Sequence, residues 1–477
     1  MNTTPQHRKL MPKALLSCLA LGIAGGVWWA SSRTSQSGAA PVQAASAASL
    51  VDVLDAIPRP TGTSATDLAI AKWTAKARRN PGDARALVNL GDALMQHVRE
   101  TADAAYYARA QQLYQKALAL QPRNGEALTG LAWVSSGRHQ FDESIVWAKQ
   151  AIAINPRNNA AYGLIGDAAV EQGDYPTAFK SYQKMLDLRP DLSSYSRGAH
   201  LLHIRGRFMQ AGWLMRKAID SGGTYAENTA WCRAQLALIY FSDGNLPAAE
   251  MVLADALAKT PNNRHLLAAM GKVKAARRQF PAAISLYKKA VAIAPEHDTL
   301  IALGDTYALT GNKAQAEQQY ALIEAMHRLS RAANDTTANF PMAQFYADHD
   351  RNLAEALRLA QARKLTKNPF EQDTLAWCYY KNKDLEQARE VIRRALRQKT
   401  SDARILYHAG MIYAALGEPV DAQKYLYRAL SLNPNFSPTL APIATAMLTR
   451  LSHQTASRAG EPATSSTPAP VRLGTAR

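Results

Sequence analysis

The sequence predicts an all-α chain of stacked helix hairpins, and three observations carry that reading. Prolines recur at a fixed interval: Pro122, Pro156 and Pro190 lie 34 residues apart, as do Pro261 and Pro295. Between them, apolar residues return with the three- and four-residue spacing of one helix face. No segment keeps the two-residue alternation of a half-buried strand. A constant period in this range marks stacked supersecondary units rather than an enzyme core.

Three fragments sharpen the pattern: LGDALMQHV from Leu90, IGDAAVEQGDY from Ile165 and LGDTYALTGN from Leu303. A phosphate-binding loop is excluded, because it needs several glycines between a strand and a helix, and each Gly here opens a run of helix formers. With position 1 set three residues after the proline, Leu128, Leu131, Ala132, Ser144, Ala151 and Pro156 occupy positions 4, 7, 8, 20, 27 and 32. The next unit places Tyr162, Ile165, Gly166, Ala178, Tyr182 and Pro190 at 4, 7, 8, 20, 24 and 32. The unit from Arg264 repeats it with Leu267, Met270, Gly271, Ala283, Tyr287, Ala290 and Pro295.

This pattern resembles the tetratricopeptide repeat, a helix-turn-helix unit with large residues at positions 4, 11 and 24 and small ones at 8, 20 and 27. The resemblance implies a right-handed superhelical solenoid of about ten antiparallel units. Positions 4, 7, 8 and 11 share one buried face at about 100° per residue. Gly at 91, 166, 271, 304 and 410, and Ala at 132, 199, 237 and 376, are then packing choices that let a second helix approach at position 20. Each Gly costs about 1 kcal/mol of helix propensity. The Asp at position 9 falls outside that face and reads as a surface residue.

Taken in order, residues 1–13 form a basic region with Arg8, Lys9 and Lys13. Residues 14–30, ALLSCLALGIAGGVWWA, form a signal peptide or a single membrane anchor. Trp28 and Trp29 suit a lipid-water boundary and favour the uncleaved anchor, with cleavage after Ala44 as the alternative. Leu15-Leu16-Ser17-Cys18 resembles a lipobox, but the apolar run continues past Cys18, so a membrane-embedded cysteine is the preferred reading. Gly22 and Gly26 are small residues of the same run. Residues 31–66 read as a flexible Ser/Ala/Pro-rich linker.

The array itself spans 67–453. A half unit at Asp67 to Pro81 offers Ala69 and Trp73, and the first full unit carries about seven extra residues before Ala110. The stretch DSGGTYAENTA lengthens a later connection and is expected to bend the stack. Pro341 to Pro369 fits poorly and reads as a degenerate unit. A helix from Ser437 to about His453 caps the last apolar face, as terminal elements of repeat arrays do. Residues 454–477 read as a disordered tail. At least nine helix pairs and no sheet are expected, which leaves no room for a catalytic domain.

Isolated chemical motifs do not change this. His200 and His203 stand i, i+3 on one helix without a third ligand, so no metal is expected. Ser181 and Lys184 match S-x-x-K without its companion motifs. Asp348-His349-Asp350 reads as a solvated turn between helices. Cys232 and Cys378 lie about four units apart, too far for one disulfide, and read as packed thiols. No cofactor is expected, and the chain does not read as an enzyme.

The formal net charge of +18 comes with basic clusters KARR, KVKAARR and REVIRRALRQK. The last lies on a second helix, which in the resembling family faces the convex side. An anionic membrane surface or polysaccharide suits such a face. The export signal argues against nucleic acid.

These features point to a protein-interaction scaffold on the periplasmic side of the inner membrane, or periplasmic or secreted if the signal is removed. The alternatives are an accessory factor in exopolysaccharide secretion or envelope assembly, or a regulatory subunit of a membrane-bound enzyme. In the resembling family, positions 2, 5, 9 and 12 line the concave groove. Here they include Asp92, Trp133, Asp167, His200, His203, Trp231, Phe241, Asp305, Trp377, Tyr380 and Tyr407. The expectation is a groove for apolar or aromatic partner side chains, with Asp92, Asp167 and Asp305 available to basic ones.

Overall fold

The computed structural model describes residues 49–60, 62–332, 339–362 and 366–459, and all secondary structure in them is helical. Residues 14–30, with Cys18, lie outside this range, as do 460–477. Short helices α1 (Leu50–Asp55) and α2 (Ala65–Arg79) lead into ten helix pairs. The first five are α3 (Ala84–Thr101) with α4 (Ala105–Leu120), α5 (Gly125–Gly137) with α6 (Phe141–Ile154), α7 (Asn159–Glu171) with α8 (Tyr175–Leu188), α9 (Leu192–Ile204) with α10 (Phe208–Ser221), and α11 (Ala226–Ser242) with α12 (Leu246–Lys259). The rest are α13 (Arg264–Ala276) with α14 (Phe280–Ile293), α15 (His297–Leu309) with α16 (Lys313–Ala332), α17 (Asn339–Asp348) with α18 (Leu353–Gln361), α19 (Pro369–Lys381) with α20 (Leu385–Arg397), and α21 (Ala403–Ala415) with α22 (Pro419–Leu432). Helix α23 (Leu440–Ala459) closes the series.

The expected ends shift. Helix α1 lies inside the span expected to be a flexible linker, and Val53, Leu54 and Ile57 are buried in the first core cluster with Ile70 and Leu87. Its cap is local: Ser49 Oγ accepts from Asp52 N while the Asp52 carboxylate accepts from Ser49 N. At the other end, α23 runs six residues past His453, into the stretch read as tail.

The proline period has a simple cause. Each proline follows a helix C-cap, where the chain must stop, and the residue one or two beyond it caps the next helix. Asn124 Oδ1 accepts from Ala127 N at 2.9 Å, Asn158 from Ala161 N at 3.1 Å and Asn263 from Leu266 N at 3.1 Å. Inside a unit the chain reverses through a left-handed residue, such as His139, Gly173, Gly206, Gly244 or Lys383.

The position-8 glycines do more than admit a helix. A Cβ on Gly91 would lie 2.6 Å from the Tyr114 ring, and on Gly166, Gly271 and Gly304 it would meet Tyr182, Tyr287 and Tyr320 at 2.3, 2.6 and 2.4 Å. The small residue therefore makes room for the tyrosine at position 24 of its own unit, rather than only for the residue at position 20. Where position 8 is Ala, as at 132, 199, 237 and 376, position 24 is Ala148, Met215, Leu253 or Ile392. Cys232 and Cys378 are free and buried in the stack.

Two sequence irregularities meet in space. The extra residues of the first unit lengthen α3, and the stretch expected to lengthen a loop instead adds an early turn to α11. These added turns touch: Arg99 Nε lies 3.3 Å from Asn228 Oδ1 and 3.5 Å from Glu227 Oε2. Arg264, 3 % exposed, donates from Nη1 to the carbonyls of Arg99 and Glu100 at 2.9 and 2.7 Å.

Further along, the superhelix rests on itself. Asn368 Nδ2 donates to Glu171 O, Arg205 Nη1 to Gln398 O and Asn433 Nδ2 to Phe241 O, at 3.0, 2.7 and 2.7 Å. These bonds join the hairpin turns of three consecutive units to the loops before α19, α21 and α23. Gly206 sits in this seam at φ 67°, and a Cβ there would meet Ser401 Cβ at 2.2 Å. Gly311 has φ 80° with nothing within 4 Å. Gly311→Ala should therefore cost about 1 kcal/mol for the left-handed backbone. Gly206→Ala should cost about 1–3 kcal/mol more, because the seam must yield. Denaturant unfolding of the two variants measures the difference, and equal losses would rule out the seam.

Candidate site in the superhelix lumen

Because the turns close on each other, the concave side is a lumen rather than an open trough. It encloses a cavity of about 1060 Å³ walled by first helices from α3 to α21 and by the start of α23. His200, His203, Trp231, Phe241 and Asp305 line it, as expected from their positions. Trp231 is half-buried with the Arg99 guanidinium 5.9 Å from its ring, and Lys272 Nζ stands 4.9 Å over Phe241. His203 Nε2 is 2.9 Å from Ser242 Oγ. Burial, then the fields of His200 and Lys272, push His203 down to about 3, so it is neutral at pH 7. Burial and the nearby Arg264 and Arg99 hold His265 down to about 3 as well. Among the described residues no group of three or more His, Cys, Asp or Glu forms a metal site.

The other expected groove residues go elsewhere. Trp377 is 3 % exposed, stacked between Tyr380 at 4.6 Å and His408 at 4.0 Å. Tyr407 is 2 % exposed and packs against Trp377 and Phe436. Trp133 is half-buried between the first two core clusters and does not line the cavity. In these units the rings at positions 5, 9 and 12 fill the wedge between adjacent first helices. They belong to the core.

The three aspartates at position 9 are also not surface groups awaiting a partner. Tyr114 Oη donates to Asp92, Tyr182 Oη to Asp167 and Tyr320 Oη to Asp305, each at 2.8 Å. Three of the four tyrosines that fill a glycine's space thus find an acceptor one residue further on; beside Gly271, under Tyr287, that residue is Lys272. Asp167 is held again by Arg197 of the next unit through Nε and Nη2, both at 2.9 Å. Asp305 also faces His349 Nε2 at 2.7 Å. Burial opposes the charge on His349, but the bond and field of Asp305 prevail and raise its pKa. Asp92 reaches solvent, yet loss of bulk water pushes its carboxyl up to about 6 against the bond from Tyr114.

The Asp348-His349-Asp350 turn is correspondingly not a plain solvated loop. Asp350 faces outward to Lys381 at 2.8 Å, whereas Asp348 and His349 line the lumen. Charged lumen residues that escaped the sequence reading include Lys272, Asp298 and Arg404. They occupy positions 9, 2 and 2 of their units, so the positional rule, applied to every charged residue, would have found them.

Tetratricopeptide-repeat models match residues 66–116, 102–168, 160–192, 229–260 and 374–435. The chain belongs to the tetratricopeptide-repeat superfamily. The small glutamine-rich tetratricopeptide repeat-containing protein 2 of Mycosarcoma maydis is 33% identical over 92 residues, which is 19% of this chain. The chain spans only 26% of that relative's length. A tetratricopeptide repeat protein from Parabacteroides merdae superposes with a TM-score of 0.39 at 19% identity, covering 50% of this chain and 92% of that one. Yeast Tom70 gives 0.34 at 14% identity, covering 83% and 94%. Tetratricopeptide arrays are generally protein-interaction scaffolds, and this chain shares that architecture.

The burial pattern separates two tryptophans at equivalent-looking positions. Trp377→Ala should cost about 3–5 kcal/mol by leaving a cavity between two units. Trp231→Ala, on the lumen wall, should cost about 1 kcal/mol. Melting midpoints of the two variants test this, and a larger loss at Trp231 would invert the assignment.

Proposed function

We propose that this tetratricopeptide array is a cell-envelope scaffold that holds an extended segment of another protein in its lumen. The observation that carries the reading is the cavity itself. Apolar rings from Trp231, Phe241, Phe370 and Phe436 share its wall with separate charged groups, the composition of a peptide-binding cleft. The envelope location rests on the amino-terminal order of Arg8, Lys9 and Lys13 followed by the apolar run 14–30. Among the described residues no helix is long and apolar enough to cross a membrane, and that run lies outside them.

A second reading has one specific support. Helix α20 carries Arg389, Arg393, Arg394 and Arg397 around a shallow surface depression. Arg389 is tied to Glu386 and Glu418, while Arg393 and Arg397 are exposed. An anionic polysaccharide or lipid headgroup suits that face by charge, in keeping with a role in polymer secretion or envelope assembly.

A photo-crosslinking side chain placed at Trp231, in the lumen, or at Trp213, 53% exposed on α10, separates inner from outer capture in native envelopes. The scaffold reading expects discrete adducts from position 231 and none from 213; adducts from 213 alone would overturn it. Location has its own check: alkaline phosphatase fused after Arg477 should be active only where the fusion is exported, and an enzyme held inactive inside the cell would defeat the envelope assignment.

A further inference from the structure

The lumen is walled along its side, so a segment of another protein needs a way in. The seam in that wall is built unlike the joints between successive units. Within the stack, buried apolar residues run on from helix to helix: one cluster alone extends from Leu300 on α15 to Leu451 on α23. Across the seam they stop. The bank formed by α7, α9 and α11 keeps its buried residues in clusters around Leu201, Met215 and Leu253, whereas the opposite bank, from α19 to α23, belongs to the cluster that starts at Leu300. Of the apolar residues in these clusters, only the half-buried Leu432 packs against both banks.

What holds the seam is polar and lies in its turns. Asn368, Arg205 and Asn433 each place a side-chain donor on a main-chain carbonyl of the opposite bank. When the banks part, water replaces such a partner at both ends. The turns meet through left-handed glycines, and a Cβ on Gly173 would lie 2.4 Å from the carbonyl carbon of Lys367. The banks therefore touch there without interlocking side chains. The joint between α3, α11 and α13 is of another kind. Arg264, 3 % exposed, reaches from the carbonyls of Arg99 and Glu100 to Glu296 at 3.1 Å. Parting it would strand a buried charge, so the seam yields first.

We infer that the seam is the entrance of the lumen: the two banks part as intact stacks, an internal segment of a partner enters sideways, and the banks close over it. The occupant rests on the reading of the lumen as a peptide site; the parting of the banks does not. Small rotations between the units from α13 to α18, which join the banks, add up to the opening, so no unit has to unfold. A segment flanked by folded domains has no free end to thread, and this route admits it.

Met209 on α10 and Arg397 on α20 are exposed and lie close in sequence to the two ends of the Arg205–Gln398 bond. In the full chain with Cys18→Ser, and with Cys232 and Cys378 left buried, Met209→Cys with Arg397→Cys takes spin labels across the seam. Pulsed electron-resonance distances should show a closed population and a minor longer one. Arg205→Ala should enlarge the longer population about tenfold, as expected for one lost charge-assisted hydrogen bond. Helicity by circular dichroism should stay unchanged, as should the distance within one bank between labels at Phe179→Cys and Met209→Cys. A distance across the seam that Arg205→Ala does not move, or a shift that comes with lost helicity, would overturn the opening.

The same cysteine pair tests entry when it is either joined by a short bis-maleimide or capped singly with N-ethylmaleimide. Each purified form carries a photo-crosslinking side chain in place of Trp231 and is mixed with solubilised envelopes from cells lacking the chain. The capped form should give discrete adducts and the joined form about tenfold fewer, because capture falls with the fraction of open chain. Equal adducts from both would put entry at the ends of the lumen and overturn the seam as entrance. If neither form gives adducts, the peptide-site reading and the entrance fall together, and the spin-label distances decide the parting of the banks by themselves.

Discussion

The structure depends on one close approach, made in four of its ten helix pairs: a tyrosine ring from the second helix of a unit laid against a glycine of the first. Tyr114 shows it most fully, since the ring lies between Gly91 of its own unit and Gly130 of the next, and a Cβ at either would enter it. A large ring buried in four of the ten helix pairs contributes much of the apolar burial there. In three of the four, at Tyr114, Tyr182 and Tyr320, the hydroxyl, which would be costly to bury unpaired, ends on the aspartate next to the glycine. Glycine, aspartate and tyrosine form one device spread over two helices. Where it occurs, it fixes how closely the two helices of a unit approach.

Curvature alone makes a superhelix; closure needs contacts between its turns. Here the irregular parts of the sequence supply them. The lengthened ends of α3 and α11 meet through Arg99, Glu227 and Asn228, and Arg264 crosses to the carbonyls at the end of α3. The seam at Gly173, Gly206 and Gly244 uses turn glycines for a second purpose, since the absent Cβ that permits a left-handed turn also permits another loop to lie against it. A ladder with neighbour-only contacts thus acquires long-range ties. They convert a groove into a lumen.

The lumen sorts residues that look alike in sequence. Positions 2, 5, 9 and 12 share one side of the first helix, yet Trp231 and Phe241, at 2 and 12, line the cavity while Trp377 and Tyr407, at 9 and 5, are sealed between helices. The difference lies in the neighbours. Trp377 is covered by His408 and Tyr380, and Tyr407 by Phe436 at the start of the capping segment. The aspartates at position 9 were legible as a pattern, but not as acceptors, because their donors sit in the partner helix or in the next unit, 15 to 44 residues away in sequence. Charged lumen residues such as Lys272 and Arg404 were hidden among the many basic residues of the chain.

By itself the sequence determined the unit: its period, its two helices, the small residue at position 8 and the approximate number of copies. These follow from local rules, helix periodicity, proline at helix ends and side-chain volume, all of which act within a few tens of residues. The tertiary structure alone decided that the added turns of α3 and α11 touch, that the superhelix closes along a seam, and that Lys272, Asp298, Asp348 and Arg404 line one cavity. Those outcomes depend on small rotations between neighbouring units accumulated over the whole stack, and no local stretch of sequence encodes an accumulated angle.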